Sequence, residues 1–196
     1  LILAGHGVLI SDASEELTVF AEKAQVPVIT TLLGISAFDE NHELSMGMPG
    51  MHGMAFTNHA IDKADLLIAI GMRFDDRVTG RLSSFAPNAK VIHVDIDPAE
   101  IGKNVRVSAP IIGDAKHVLG LLTQAIEADH HEEWLEEIQS LRLKHPSNRV
   151  RASDRLLPQF ILQELSEITR GNSIIVTGVG QHQMWAAQHY TYVRPN

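Results

Sequence analysis

Short apolar runs alternate along the chain with longer stretches in which apolar residues recur every three or four positions. The runs at residues 1–4, 26–31, 66–70, 91–96 and 109–112 each have the length and composition of a buried strand. Their continuous apolar character, without alternation, is typical of parallel strands that are covered on both faces. The pattern therefore predicts an α/β fold in which helices cover both faces of a parallel sheet.

The stretches between and after these runs predict helices. Ser11 and Asp12 are candidate N-caps of a helix that ends near Gln25. Further helices are predicted over residues 115–128, 129–144 and 156–169. The second of these has only a thin apolar stripe, so we expect it on the surface, and the third has Pro158 in its first turn. Residues 34–54 show no period and predict a loop, followed by a short helix.

A polar segment divides the chain. Residues 146–154 have the composition of a linker. We therefore expect a central domain at 1–145, a linker at 146–155 and the start of another domain at 156–196, in which residues 174–177 predict one more strand. The chain opens on a strand without Met and stops soon after this pattern has restarted, which suggests an internal piece of a longer protein.

Composition excludes several classes of function. Sixteen basic and twenty-four acidic residues give a net charge of −8, which argues against a nucleic-acid partner. No apolar run approaches the roughly 18 residues that a membrane span needs. The absence of Cys excludes disulfides and thiolate zinc sites and is compatible with a reducing cytoplasm. The eleven histidines show no metal-ligand spacing, so we expect no metal site within this chain.

Unusual residues follow the first predicted strand, as Gly5, His6 and Gly7. Glycines at this position let the backbone approach a phosphate or a ribityl chain, and the start of a helix favours an anion. Ile10 stands where the dinucleotide fingerprint has its third glycine. A simple tight turn explains the same residues equally well.

The segment from residue 71 to residue 80 follows the third predicted strand and is the most informative. It places Arg73, Asp75, Asp76 and Arg77 at the end of a buried strand. The planar fork of an arginine suits phosphate or flavin oxygens. A solvated loop with local ion pairs is an equally good interpretation.

Asp95 ends the fourth predicted strand, where a carboxylate can accept the hydroxyls of an adenosine ribose. The alternative is a helix N-cap or a turn before Pro98, and Asp97 suits that role better. Residues 178–184 could hold a diphosphate through backbone donors, although a glycine turn explains them slightly better. The methionines of the loop at 34–54 are more often core residues than cofactor contacts.

Taken together, five segments resemble the large, catalytic subunit of the acetolactate synthase (acetohydroxyacid synthase) family of thiamine-diphosphate enzymes. They are residues 27–34, 50–53, 71–80, 93–101 and 178–188. The resemblance implies a three-domain enzyme with thiamine diphosphate, Mg²⁺ and FAD, whose central domain is Rossmann-like. Such an enzyme decarboxylates pyruvate and joins the two-carbon unit to pyruvate or 2-oxobutyrate, which begins branched-chain amino-acid biosynthesis. FAD is implied to serve structure rather than net redox chemistry.

The resemblance also implies site residues. For FAD they are Gly5, His6, Gly7, Thr31, Leu32, Gly50, Met51, His52, Gly71, Arg73, Asp75, Arg77, Val78, Asp95, Ile96, Asp114 and Ala115. For thiamine diphosphate they are Val179, Gly180, Gln181 and His182, with Gln183 and Met184 near the substrate channel. The glutamate that activates thiamine and the segment that holds Mg²⁺ have no counterpart here. We therefore expect no catalytic residue in this chain and no carboligase activity from it alone.

The implied partners are 2-oxo acid substrates, further copies of the full-length subunit in a homodimer or homotetramer, and a regulatory small subunit, in the cytoplasm. Alternatives within the thiamine enzymes are an FAD-independent catabolic acetolactate synthase, a pyruvate oxidase or a glyoxylate carboligase. Outside them, a non-catalytic nucleotide-binding module would share the Gly5 and Asp95 features but would not need residues 181–185. A sirtuin-type deacylase is disfavoured because the chain has no Cys for its zinc site.

Overall fold

The computed structural model describes residues 1–147, 150 and 155–195, which form a parallel sheet with helices on both faces. The strands are β1 (Ile2–Ala4), β2 (Val28–Thr30), β3 (Leu66–Ile70), β4 (Lys90–Asp95) and β5 (Ala109–Ile112). They are all parallel and lie in the order β2-β1-β3-β4-β5. The α/β prediction and all five predicted strands of the first domain are confirmed.

Eight helices lie within the described part of the chain. They are α1 (His6–Ile10), α2 (Ser14–Ala24), α3 (Ala55–Lys63), α4 (Asp76–Thr79), α5 (Ala115–Ala125), α6 (Glu132–Lys144), α7 (Pro158–Thr169) and α8 (Gln181–His189). Short 3-10 turns occupy Leu32–Gly34 and Leu82–Ser84. Among these residues, no helix combines the length and the apolar character needed to cross a membrane.

The sheet has two apolar faces because successive side chains along each strand point to opposite sides. Ile2 and Ile70 pack with Leu17 of α2 and Leu119 of α5 on one face. On the other face, the core consists of Leu3, Leu67, Ile61 of α3, and Ile138 and Leu141 of α6. Helix α6 therefore adds the apolar stripe seen in the sequence to this core, beside α3, and does not merely lie on the surface.

The start of α2 differs from the prediction. Ser11 and Asp12 do not cap it, because the short helix α1 ends there and α2 begins only after Ala13. The Ser11 hydroxyl donates instead to the carbonyl of Gly7, at 2.7 Å. Asp12 adopts a left-handed conformation (φ 51°) and pairs with Lys116 of α5 at 3.2 Å, so its carboxylate joins two elements and caps neither.

The prediction of a strand at residues 174–177 is wrong. No strand forms there, and Ile174 and Val176 are 83% and 88% exposed. A strand requires a hydrogen-bonded neighbour, and within the described residues no strand lies alongside this run. The predicted helix before it is confirmed as α7, with Pro158 at its first position. Much of the predicted linker, at 148–149 and 151–154, lies outside the described residues.

Candidate functional site

A cavity of about 790 Å³ lies at the carboxyl ends of the strands. The sheet order places it at the point between β1 and β3 where consecutive connections run to opposite sides, the usual ligand site of such sheets. The predicted FAD residues that line it are His6, Gly7, Thr31, Leu32, His52, Gly71, Arg73, Asp75, Arg77, Val78, Asp95, Ile96, Asp114 and Ala115. Segments at the carboxyl ends of all five strands thus line one cavity.

Three predicted residues do not line this cavity: Gly5, Gly50 and Met51. Gly5 precedes α1 and donates its N–H to the carbonyl of Ile70, at 2.9 Å. Met51 donates its N–H to the carbonyl of Arg77, also at 2.9 Å, while its side chain is 64% exposed. Gly5 and Met51 thus contact, through their backbones, the segment at residues 70–77 that lines part of the cavity.

The glycines after β1 have a reason in packing. A Cβ on Gly5 would lie 2.2 Å from the carbonyl oxygen of Gly71, and one on Gly7 would lie 2.6 Å from the Cα of Gly71. Gly71 has φ +59°, and its own Cβ would lie 2.6 Å from the Cα of Gly7. The turns after β1 and β3 therefore touch backbone to backbone, which only glycines allow.

The two arginines of the segment after β3 differ in their surroundings. Arg77 lies 4.0 Å from Asp76, and both are exposed, so this is a loose surface pair. Arg73 is exposed and lines the cavity. Its guanidinium has no hydrogen-bond or ion-pair partner within the described residues. The cavity thus carries a cation that is available to an anionic group.

The aspartates of the cavity have backbone partners. Asp75 and Asp114 cap α4 and α5 by accepting from the N–H groups of Arg77 (3.0 Å) and His117 (3.1 Å). Asp95 uses Oδ1 in a turn, accepting from the N–H of Asp97 at 2.9 Å. Its Oδ2 has no partner among the described residues, so Asp95 fills the turn role and still offers an acceptor. No three His, Asp or Glu side chains in that part of the chain are placed to hold a metal ion.

Apolar side chains of the cavity were missed by sequence reasoning. Ile10, Leu33 and Ile96 line it while being 74%, 61% and 72% exposed, and of these only Ile96 was predicted. The other lining residues that were missed are Ser11, Met48, Pro49, Met72, Val94 and Gly113. Most of these missed residues are next to a predicted residue in the sequence, and that position is the signal that could have indicated them. Exposed apolar groups in a hollow are typical of a ligand site.

The predicted thiamine-diphosphate segment lies partly at the same cavity. Val179, Gln183 and Met184 line it, whereas Gly180, Gln181 and His182 do not. Gly180 precedes the first residue of α8. Gln188 of α8 donates to the carbonyl of His52, at 2.7 Å. Helix α8 is thus held against the central domain beside the cavity.

A second hydrogen-bonded contact joins the central domain to the segment after α8, beside a polar cavity of about 530 Å³. The Glu40 N–H donates to the carbonyl of Tyr192 at 3.1 Å, and the Tyr192 N–H donates to Glu40 Oε2 at 2.9 Å. Burial raises the pKa of Glu40 to about 7, against the lowering effect of the Tyr192 hydrogen bond. Burial and the Glu40 charge raise the pKa of Tyr192 to about 12. Burial lowers the pKa of His189 in the same cavity.

Comparison with known proteins decides the family. Residues 1–122 match the family described as thiamine pyrophosphate enzyme, central domain. The chain belongs to the thiamine pyrophosphate enzyme family. The matched residues include every strand of the sheet and the loops of the larger cavity except its α8 side. The central domain predicted from the sequence is thereby placed in this family, while the predicted division at 146–155 stays a prediction.

Several acetolactate synthases are similar to the chain. The chain is 48% identical to the acetolactate synthase large subunit of Corynebacterium glutamicum, over all of the chain and 32% of that protein. It is 47% identical to acetolactate synthase 1, chloroplastic, of Nicotiana tabacum, over 94% of the chain and 29% of that protein. It is 45% identical to the acetolactate synthase of Mycobacterium bovis, over all of the chain and 33% of that protein. The chain therefore spans about a third of the length of these relatives.

Proposed function

We propose that the chain is part of an acetolactate synthase that decarboxylates pyruvate and condenses the two-carbon unit with pyruvate or 2-oxobutyrate in branched-chain amino-acid biosynthesis. Support comes from identities of 45–48% that include the α8 segment as well as the central domain. The full-length protein would act in the cytoplasm as a homodimer or homotetramer, with thiamine diphosphate, Mg²⁺ and a regulatory small subunit.

Within that enzyme, we propose that this chain supplies the FAD-binding domain. The observation that supports it is the meeting of three kinds of group in one cavity: the unpaired guanidinium of Arg73, the free Oδ2 of Asp95, and the exposed apolar side chains of Ile10, Leu33 and Ile96. A dinucleotide needs all three, because it has a charged diphosphate, ribose hydroxyls and flat rings. The cavity volume of about 790 Å³ is suited to a ligand of this size.

Each group has a role toward FAD. Arg73 would bind a diphosphate or flavin oxygen through its planar fork. Asp95 would accept a ribose hydroxyl, and Ile96 would pack on the adenine side, with Asp114 and Ala115 nearby. Ile10 and Leu33 would exclude water from a ring face.

Thiamine diphosphate, when bound, supplies the ylid and the electron sink of the reaction. The part of this chain is to present Val179, Gln183 and Met184 at the edge of the cavity, with Gly180, Gln181 and His182 at the start of α8. Because the chain covers about a third of its relatives, we expect acetolactate formation from the full-length protein and none from these 196 residues alone. Detection of acetolactate with the purified chain would contradict this.

Two alternatives remain distinct from this proposal. In an FAD-independent catabolic synthase, Arg73 and the exposed apolar side chains would have no flavin to bind. A non-catalytic nucleotide-binding module would need neither Gln183 nor Met184 beside the cavity. Pyruvate oxidase and glyoxylate carboligase are disfavoured because the similar named proteins above are acetolactate synthases.

The test is a titration of the purified chain with FAD, followed by quenching of flavin fluorescence. We expect saturable binding by the unaltered chain and binding weakened at least tenfold by Arg73→Ala, because a charge-assisted contact is lost. Arg81→Ala is the control, since Arg81 is exposed, carries the same charge and does not line the cavity. No binding by the unaltered chain, or equal losses in both variants, would overturn the FAD proposal.

A further inference from the structure

We propose that Asn104 is a positioning residue for the cofactor, which it serves by holding the backbone that carries Arg73. The inference rests on the proposed FAD site. Asn104 lies in the loop between β4 and β5, does not line the cavity, and belongs to none of the predicted site residues.

The side-chain amide of Asn104 binds two successive carbonyls. Its Nδ2 donates to the carbonyl oxygen of Arg73 at 3.1 Å and to that of Phe74 at 3.0 Å. The three residues thus form a link between the loop after β4 and the loop after β3, about thirty positions apart in the chain. Because Asp95 ends β4 and Asn104 lies in the loop that follows it, this contact fixes where the Arg73 backbone lies relative to Asp95.

The segment that Asn104 holds has an unfavourable backbone conformation. Phe74 has φ 52°, in the left-handed region that residues other than glycine seldom adopt. Such a conformation persists only when its surroundings enforce it. Burial of the Phe74 ring, which is 2% exposed, provides one constraint, and the Asn104 hydrogen bonds provide another.

His93 holds the same segment from inside the protein. Its Nε2 donates to the carbonyl of Met72 at 2.8 Å, and its ring meets that of Phe74 edge-on at 5.1 Å. The carbonyls of Met72, Arg73 and Phe74 accept no backbone hydrogen bond from the described residues, because the chain has left the sheet at Ile70. The side chains of His93 and Asn104 therefore donate hydrogen bonds to all three carbonyls. Arg73 is the middle residue of this fixed segment.

Asn104 is the better residue to test. His93 is fully buried, so replacing it would disturb the core as well as the turn. Asn104 is exposed, and its change should leave the two apolar clusters intact. A loss of FAD binding without loss of folding would then report on the position of Arg73.

The variant is Asn104→Asp, which keeps the shape, removes both donors and places a carboxylate against two carbonyl oxygens. We expect FAD to bind about tenfold more weakly. Asn88→Asp makes the same charge change at an exposed position outside the cavity and should bind within about twofold of the unaltered chain. Asn104→Ala, without added charge, should also weaken binding. Equal binding by all three variants would overturn the proposal.

A double-mutant cycle separates positioning from a purely structural role. If Asn104 acts through Arg73, Asn104→Asp should weaken FAD binding in the unaltered background and have no further effect when Arg73→Ala is present. Additive losses of FAD affinity would show that Asn104 does not act through Arg73 and would contradict the positioning role. If the unaltered chain fails to bind FAD, the proposed function itself fails and the positioning role fails with it. A cooperative thermal transition with a midpoint above the assay temperature verifies that both variants are folded, and we expect the lower midpoint for Asn104→Asp, which loses two hydrogen bonds.

Discussion

At the residue scale, the contact between Gly7 and Gly71 determines how closely the ends of β1 and β3 approach each other. The two Cα regions are near enough that a Cβ on either would fall 2.6 Å from the other residue's Cα. The Gly7 N–H also donates to the Gly71 carbonyl at 3.1 Å. Backbone without side chains therefore forms the cavity surface between β1 and β3. This close approach lets the loops after β1 and β3 line the same cavity.

We predict that Gly71→Ala destabilises the chain by about 3 kcal/mol or more, because it combines a backbone clash with a φ of +59° that alanine disfavours. The free energy of unfolding in urea measures the effect. Gly120→Ala is the matched control: Gly120 lies inside α5, and its Cβ would have nothing within 4 Å. That change should be neutral or stabilise by about 1 kcal/mol. Similar losses in both variants would refute the packing argument.

The glycines also show what sequence reasoning could and could not distinguish. A glycine pair after a strand is compatible with a cofactor contact and with a tight turn, and the residues alone left both open. In the structure Gly7 lines the cavity, while Gly5 lies behind it. The deciding partner, Gly71, is more than sixty residues away in the chain, so no local pattern could reveal it.

At the element scale, strands that are buried on both sides were predictable, as was the start of α5 at Ala115, whereas the start of α2 was not. The bounds of β3 match its apolar run, at Leu66–Ile70, because a doubly covered strand is apolar throughout. The bounds of β5 also match, at Ala109–Ile112, although this edge strand alternates half-buried and exposed residues. The start of α2 was missed because its N-cap, Ala13, makes no side-chain hydrogen bond. The run at 174–177 has a strand's composition but no strand beside it in the described chain, and composition cannot report a missing neighbour.

The attachment of α8 to the central domain should depend on pH through Glu40. Its folded pKa of about 7 lies above the ordinary value of 4.5, so the folded chain holds the proton more tightly than the unfolded chain. The contribution of Glu40 to the free energy of unfolding is therefore fully present below about pH 4.5. It is lost as the pH rises through about 7, by up to about 3 kcal/mol. Charged and titratable groups around Glu40 are Asp39, Arg142, Glu167, His189, Tyr190 and Tyr192.

We predict that Glu40→Gln removes this loss of stability with rising pH. Glutamine still accepts from the Tyr192 N–H but carries no charge to desolvate. The unfolding free energy of the unaltered chain should fall relative to that of Glu40→Gln between about pH 5 and 8. Glu43→Gln, at an exposed position nearby, should run parallel to the unaltered chain. Parallel curves for Glu40→Gln as well would contradict the role of Glu40.

At the scale of the whole molecule, the cavity was predictable in its location more than in its lining. Parallel strands carry their carboxyl ends to one edge, so Arg73, Asp95 and the turn at Gly7 could be expected to meet. The apolar members Ile10 and Leu33 could not be expected there, because single exposed apolar residues in a short helix and a 3-10 turn form no periodic pattern. The residue pattern at 178–184 favoured a glycine turn slightly over a diphosphate site, and the resemblance assigned Val179, Gln183 and Met184 to the site.

Because the lining runs from Asp114 and Ala115 after β5 to Met184 of α8, a ligand must be long to use all of it. We predict that FAD raises the unfolding midpoint more than FMN or ADP at the same concentration, since each of these fills only part of the hollow. At a hundred times the FAD dissociation constant the gain is about 2.7 kcal/mol, or about 8 °C for a chain of this size. Differential scanning calorimetry with the three ligands measures it. An ADP shift as large as that of FAD would mean that only the adenosine end is bound and would favour a simple nucleotide-binding module over a flavin domain.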